Sequence, residues 1–597
     1  MVVSVAASLP QLGVLLLALT TLPCYPYPTF TRPGVPLNHS ALNPTTGTLY
    51  LGGVNRLYQL TGGLELVSEG RTGPVNDSRD CVPPIQPTNC PQARPIAVHN
   101  KLLLVDQGGG ALLVCGSAHQ GVCEKRALTD VAQAPEREAQ PGEMQYVAAD
   151  DASTATVGLV GRLGAGGRRA LFVGRGYTHR ATDAPITTRS LDGAHPFSND
   201  EMGRLAVGAF ADYDHRFAAA FAHDGYVYFL FNRRESRAQR GAGDYRAYAA
   251  RICGNDTNYY SYVEVPLHCA WASEGDTDRQ HNLVLASALA VAGGTGTTLF
   301  AIFARAEAPP EQARPSDRSA LCLYPLADID GAIERAREAC YSSSNTQDAH
   351  VEYHVKSSCT KLPEESTKRY PCGYEHTPSP IASNIPVEAV AALTDSVQLT
   401  AVAVTSDMNN TILFLGDRLG KLHKVFLRSR SEARMFGSVT IQPGSPINRD
   451  LFLDPEGDHV YVLTSTQITK VPVAECSRYS NCTSCLDARD PYCGWCVLDG
   501  RCGRKLECAR HQEVNHWLWF YDGNGSCLSV QSKIPANVSR EDKTEVTLTL
   551  DRIPNLGPGE GLNCSFGGHI TKAVVVGNQV TCPSPDPGQV PGNDPGK

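Results

Sequence analysis

The chain holds 597 residues with a formal charge of -8 at pH 7, 42% apolar residues and 19% charged residues. Its length exceeds one ordinary compact core of about 150 residues, so it requires either several domains or one large closed architecture. The acidic balance excludes the basic footprint that nucleic acid calls for, and the 21 cysteines point to sulfur as a structural theme.

Residues 11–19, QLGVLLLAL, form a short apolar run followed by small and turn-forming residues, the pattern of a secretory signal peptide over residues 1–24. If cleavage falls at or after Cys24, 20 cysteines remain, an even number suited to full pairing. Eight N-x-[ST] acceptors for glycosylation support export: Asn38, Asn76, Asn255, Asn409, Asn481, Asn524, Asn537 and Asn563. No later segment approaches the ~18 uninterrupted apolar residues that span a bilayer. The longest, Leu283–Ala292, reads as a buried strand pair or a short helix, so a chain with no membrane span is expected after processing.

Up to Val473 the sequence repeats one theme, short β-branched and aromatic runs joined by Gly, Asn or Asp turns. Leu49–Leu60, Lys101–Gly116, Ala170–Gly176, Gly225–Phe231, Thr298–Ala304, Thr411–Leu427 and His459–Val473 are the clearest cases. Helical periodicity is confined to Leu326–Ala339, where Ile329, Ile333 and Ala336 share a face. Seven such units over roughly 440 residues predict an all-β propeller with long inserted loops. A string of β-sandwiches is the rival, but no Pro- or Ser-rich linker interrupts Tyr50–Val473. Cys81 with Cys90 and Cys115 with Cys123 have the spacing of local staples. Cys253, Cys269, Cys322, Cys340, Cys359 and Cys372 are scattered, which suggests longer bridges.

Motifs for catalysis are missing: there is no GxSxG elbow, HExxH helix, P-loop or dinucleotide fingerprint. No enzyme activity, cofactor or metal is expected. Gly161–Gly167 reads as a hairpin turn, Ser117 and His119 as part of a stapled loop, and Asp150-Asp151 as a solvated turn with too few oxygens for calcium. Arg233, Arg234, Arg237 and Arg240 follow a strand expected to end at Phe231, and read either as a solvated loop or as a basic patch for an acidic partner.

From Cys476 to Cys527 eight cysteines fall within about fifty residues that hold little aliphatic material, too few to fold on burial alone. Cys482-x2-Cys485 and Cys493-x2-Cys496 suggest a zinc ribbon, but seven residues between the pairs are too few and four cysteines would be left over. The acceptor at Asn481 also places this stretch in an oxidising compartment, so disulfides are expected. Eight cysteines permit 105 pairings, and the residues alone leave them open.

The run Asp490-Pro491-Tyr492-Cys493-Gly494-Trp495-Cys496, with Cys476, Cys482, Cys485 and Cys502 around it, resembles the PSI domain of plexins, semaphorins and integrins. That likeness implies Cys476–Cys493, Cys482–Cys527, Cys485–Cys502 and Cys496–Cys508, with Trp495 the chief apolar filler. Upstream, Thr72-Gly73-Pro74-Val75 through Cys81, Cys115-Gly116-Ser117 through Cys123, Phe172–Gly176, Arg251-Ile252-Cys253 and Tyr259–Tyr262 resemble the sema domain of plexins, most like the B-type. The resemblance implies a seven-bladed propeller bridged by Cys81–Cys90, Cys115–Cys123, Cys253–Cys372, Cys269–Cys322 and Cys340–Cys359.

After Cys527, Thr544–Leu550, Gly561–Phe566 and Val574–Cys582 resemble the start of an immunoglobulin-like IPT domain, implying Cys564–Cys582. The expected order is therefore signal peptide 1–24, sema 25–474, PSI 475–528 and an incomplete IPT β-sandwich 534–597, with Pro583–Lys597 read as disordered or as an interdomain turn. What the resemblance implies is a receptor ectodomain, at the cell surface or secreted, that binds semaphorins, with co-receptors as further partners, in axon guidance and cell migration. The rivals are a secreted semaphorin-type ligand or soluble decoy, a scatter-factor-receptor-like ectodomain, and a propeller glycosidase needing convergent carboxylates in its channel.

Overall fold

The computed structural model describes residues 27–589 apart from 136–145, 164–166, 179–183, 194–195, 199–213, 236–243, 272–279, 293–295, 308–312, 353–358, 523–524, 540 and 567. The described chain divides into two compact units, one ending at Val473 and the other beginning at Ala474.

The first unit is a seven-bladed β-propeller, and each of the seven quoted strand runs falls in a different blade. The innermost strands are Leu37–Leu42, Asn100–Asp106, Thr156–Leu163, Arg216–His223, Leu283–Ala292, Leu399–Asp407 and Leu451–Leu453. From blade 1 to blade 7 each touches the next, and the inner strand of blade 1 meets the second strand of blade 7, His459–Leu463. Among the described residues, blades 2 and 3 have three strands and the others four. The ring is closed by the N-terminal strand Thr29–Thr31, which pairs antiparallel with Gln467–Pro472 and so completes blade 7 (Phe30 opposite Ile468). Blades 4 and 5 are joined at their outer edges, where Val263–Ala270 runs parallel to Val387–Asp395 with Leu267 opposite Val387.

The second strands read as unbroken apolar runs because neighbouring blades cover both of their faces. Phe229, Leu230 and Phe231 are consecutive in Tyr226–Arg234 and all fully buried. Complete burial of one such side chain is worth about 1.5–3 kcal/mol. Nearer the axis the space narrows and small residues take over, as in Arg216–His223 (RFAAAFAH). Between blades the fit is tight: a Cβ added at Gly174 would lie 2.6 Å from the Phe217 ring of the next blade.

Leu283–Ala292 is a single inner strand of blade 5, neither a strand pair nor a helix, because it lies against both Gly296–Ala306 and blade 6. The helix Leu326–Ser342 buries Ile329, Ile333, Ala336 and Cys340 against blades 4 and 5. No helix among the described residues is long and apolar enough to cross a membrane.

In the second unit, a short helix Cys482–Asp487 begins with Asn481, whose side chain accepts from the Ser484 amide. It is followed by a sheet of Arg501–Gly503, Gly494–Cys496 and Trp517–Leu518. Trp495 is only half-buried. The filler beside the sulfurs is Trp517, packed with Cys496 and Cys508 and stacked on Trp519 at 5.8 Å. Strand alternation explains the correction: Cys496 is the inward residue, so its neighbour Trp495 turns to the other face.

Residues 530–583 form a four-stranded sheet, Val530–Ile534, Glu545–Leu550, Gln579–Pro583 and Val574–Val576, with a separate pair Asn563–Phe566 and His569–Lys572. Within the stretch expected to be disordered, Pro583 ends a strand, Ser584 is buried and Pro587–Gln589 form a 3-10 turn. The backbone bond from the Ser584 amide to Thr544 O holds it at 2.8 Å. Residues 590–597 lie outside the described residues.

Candidate functional site

Ten disulfides cross-link the described residues. In the propeller these are Cys81–Cys90, Cys115–Cys123, Cys253–Cys372, Cys269–Cys322 and Cys340–Cys359. In the second unit they are Cys476–Cys493, Cys482–Cys527, Cys485–Cys502, Cys496–Cys508 and Cys564–Cys582. Cys253–Cys372 closes 119 residues and ties the insertion after the helix to blade 4. On the chain-entropy account, a loop of about 100 residues gains roughly 5 kcal/mol from such a link. Cys496, Asp499 and Cys508 converge as a metal site would, but the two sulfurs are bonded to each other and are not thiolate ligands.

Of the arginines read as a solvated loop or a basic patch, Arg233 does not lie at the surface. The strand begun at Tyr226 continues to Arg234, beyond its expected end, and strand alternation turns Arg233 inward. Arg233 is 6% exposed, stacked 3.9 Å from the centre of the Tyr248 ring and held between Glu264 and Glu352. Its Nε donates to Glu264 at 2.9 Å and its Nη1 to Glu352 at 2.9 Å. Tyr248 and Tyr262 donate their hydroxyls to Glu352 and Glu264 at 2.6 and 2.5 Å.

Burial works against the Arg233 charge, yet the two carboxylates hold it well above the usual arginine range. Burial pushes Glu264 upward, opposed by Arg233 and the Tyr262 hydroxyl. His215 beside them is pushed well below its ordinary value by burial and then by Arg233. This cluster anchors Glu352, in the insertion, to the interior of blade 4. Arg234 is partly exposed and paired with Asp214, while Arg237 and Arg240 lie outside the described residues.

Of the glycan acceptors, Asn76, Asn255, Asn409, Asn481, Asn537 and Asn563 are exposed. Asn38 is half-buried in the inner strand of blade 1 with its Oδ1 enclosed, and Asn524 lies outside the described residues. Ser117 and His119 face different partners, the His99 amide and the Asn76 carbonyl. Asp151 caps its own turn through Ser153 and Thr154, and Leu163 pairs with Arg168 across the Gly161–Gly167 hairpin.

One polar constellation carried almost no signal in the sequence. Ile447–Asp450, just before the inner strand of blade 7, reaches three other blades. Thr400 Oγ1 donates to Ile447 O at 2.6 Å, and Asn448 Nδ2 donates to Asn38 O at 2.7 Å. Arg449 donates to Phe217 O and Ala218 O of blade 4 at 3.3 and 3.1 Å, and thereby spans the channel. Asp450 accepts from the Ser40 amide and pairs with the His39 ring, both at 2.9 Å. Burial opposes the Asp450 charge, but His39, the Ser40 amide and Arg449 hold it below the usual carboxylate range.

Five inner strands carry a bulge near their start, at Asn38, Lys101, Ala218, Leu285 and Thr400. A bulge re-aims the groups beside it, and three of these five residues meet Ile447–Arg449. The only sequence hint was the polar Asn448-Arg449-Asp450 triplet ahead of a strand.

Three family profiles match the chain: Sema domain at residues 281–454, Plexin repeat at 475–528 and TIG domain at 534–597. Human Plexin-B1 is 47% identical over 98% of the chain and 28% of its own length. Mouse Plexin-B3 is 43% identical over 98% of the chain and 30% of its own length. The chain thus spans less than a third of these curated relatives. Among solved structures, the full extracellular region of Plexin A4 superposes with a TM-score of 0.81 at 25% identity, covering 94% of this chain and 58% of that one.

Proposed function

Since the chain belongs to the plexin family, we propose that it is the recognition head of an extracellular receptor. Its propeller docks the sema propeller of a semaphorin, and its PSI and TIG domains form the stalk. The observation that carries this reading is the match along 98% of the chain to human Plexin-B1 at 47% identity. A semaphorin is the chosen partner because one solved neighbour is Drosophila Plexin A in complex with Semaphorin 1b. A semaphorin-type ligand would pass from PSI into an Ig domain, so the TIG match at 534–597 favours the receptor order.

The physical part of the reading is rigidity. Disulfides, the Arg233 cluster and the Ile447–Asp450 segment keep loops and edges prearranged, so little ordering entropy opposes association. A bivalent ligand then brings two such heads together, and the second contact forms at high effective concentration. In this reading the chain catalyses nothing, and it acts outside the cell, secreted or on the plasma membrane, in guidance and migration signalling with co-receptors alongside.

Surface plasmon resonance of the purified chain against a panel of semaphorin ectodomains tests the reading. Saturable binding to at least one supports it. Silence toward all of them, from a chain whose thermal unfolding is cooperative, rejects it.

A further inference from the structure

The channel of this propeller is bridged at one end and holds a cup-shaped cavity toward the other. At the strand starts, Arg449 spans the axis from blade 7 to blade 4. Toward the strand ends of blades 1, 2, 3 and 7 lies a cavity of about 630 Å³. That volume falls within the ~300–1,000 Å³ of small-molecule sites.

Its walls include Leu42, Leu104, Val105, Val160 and Phe452, five apolar side chains that are all only half-buried. Each packs on one side against a core between blades and leaves the rest of its surface open to the cavity.

The rim is charged. Arg169 is held by Asp106 and Asp192, and Asp106 also receives the Gly109 amide at 3.0 Å. Asp106 is the one carboxylate among the residues lining the cavity, and it is fully engaged. Arg162 differs. It is exposed, it donates to Gly167 O at 3.2 Å, and among the described residues no carboxylate forms an ion pair with it. An apolar wall ending at an uncompensated guanidinium is complementary to an alkyl chain ending in an anion.

We propose that this cup binds a small amphiphilic carboxylate of the fatty-acid class, with its alkyl chain against Leu104, Val160 and Phe452 and its carboxylate on Arg162. The site is independent of semaphorin docking, and its failure leaves the receptor reading untouched.

Isothermal titration calorimetry of the whole chain with decanoate, and with decanol for comparison, tests it. One saturable site for decanoate is expected, with decanol about tenfold weaker because it lacks the charge that Arg162 recognises. R162E, an exposed change, is expected to weaken decanoate by tenfold or more while circular dichroism stays unchanged. Leu104→Trp fills the cup and is expected to remove binding; should that variant not fold, R162E decides. Decanoate that does not bind, binds without saturation, or binds R162E as well as the parent overturns the proposal.

Discussion

The propeller and the PSI segment solve one problem by opposite means. In the propeller, blade-to-blade contact buries strands on both faces, and Phe229, Leu230 and Phe231 vanish from solvent in a row. The PSI segment has no such supply: its central cluster is Cys496, Cys508 and Trp517, with Trp519 packed alongside. Where burial is large, a disulfide is an addition; where burial is small, it replaces the core. The propeller can therefore also tolerate a buried ion cluster, since the apolar packing around it offsets the desolvation that such a cluster costs.

The strongest way to break the comparison is inside the propeller. Arg233→Ala leaves Glu264 and Glu352 buried without their counter-charge, and about 3–5 kcal/mol of stability should be lost. Calorimetry should show this as a large fall in the propeller transition, with the PSI transition unmoved. Replacing both Cys485 and Cys502 by Ser should do the converse at about 2–5 kcal/mol. Limited proteolysis should then cut within 475–528 while the propeller stays resistant; equal resistance in both regions would remove the contrast.

A smaller effect sharpens the comparison through pH. Burial lowers Lys101 from its ordinary 10.5 to about 8, with Asp151 acting against the shift. The folded state then binds fewer protons than the unfolded state between about pH 8 and 10.5, so this residue makes stability rise with pH across that window. Below pH 8 both states are protonated and the contribution is flat. Denaturant midpoints measured from pH 7 to 10 should therefore climb for the parent, and climb less for Lys101→Met.

The smallest expected effect is at Asn38. Its enclosed position in an inner strand predicts an empty acceptor, so Asn38→Gln should leave gel mobility unchanged, whereas Asn255→Gln should increase it.

Much of this protein was legible in its residues. Alternation and turn spacing located seven strand groups, the Ile329, Ile333 and Ala336 spacing located the helix, and cysteine density marked the PSI segment. These are local signals, carried by neighbours in the chain. The likeness to plexins supplied what spacing could not, the pairing of the cysteines and the partner class.

What the tertiary structure alone decided depends on direction across long separations. Arg233 looked like the first of four surface charges, and one extra turn of strand alternation placed it between Glu264 and Glu352, 31 and 119 residues away. Trp495 yielded its role to Trp517 because the pleat sends adjacent residues to opposite faces. The inner-strand bulges, the Ile447–Asp450 strut and the cup above it arise only when seven blades converge on one axis. No stretch of sequence carries that convergence by itself, because each contact joins backbone groups whose positions are set by the closure of the ring.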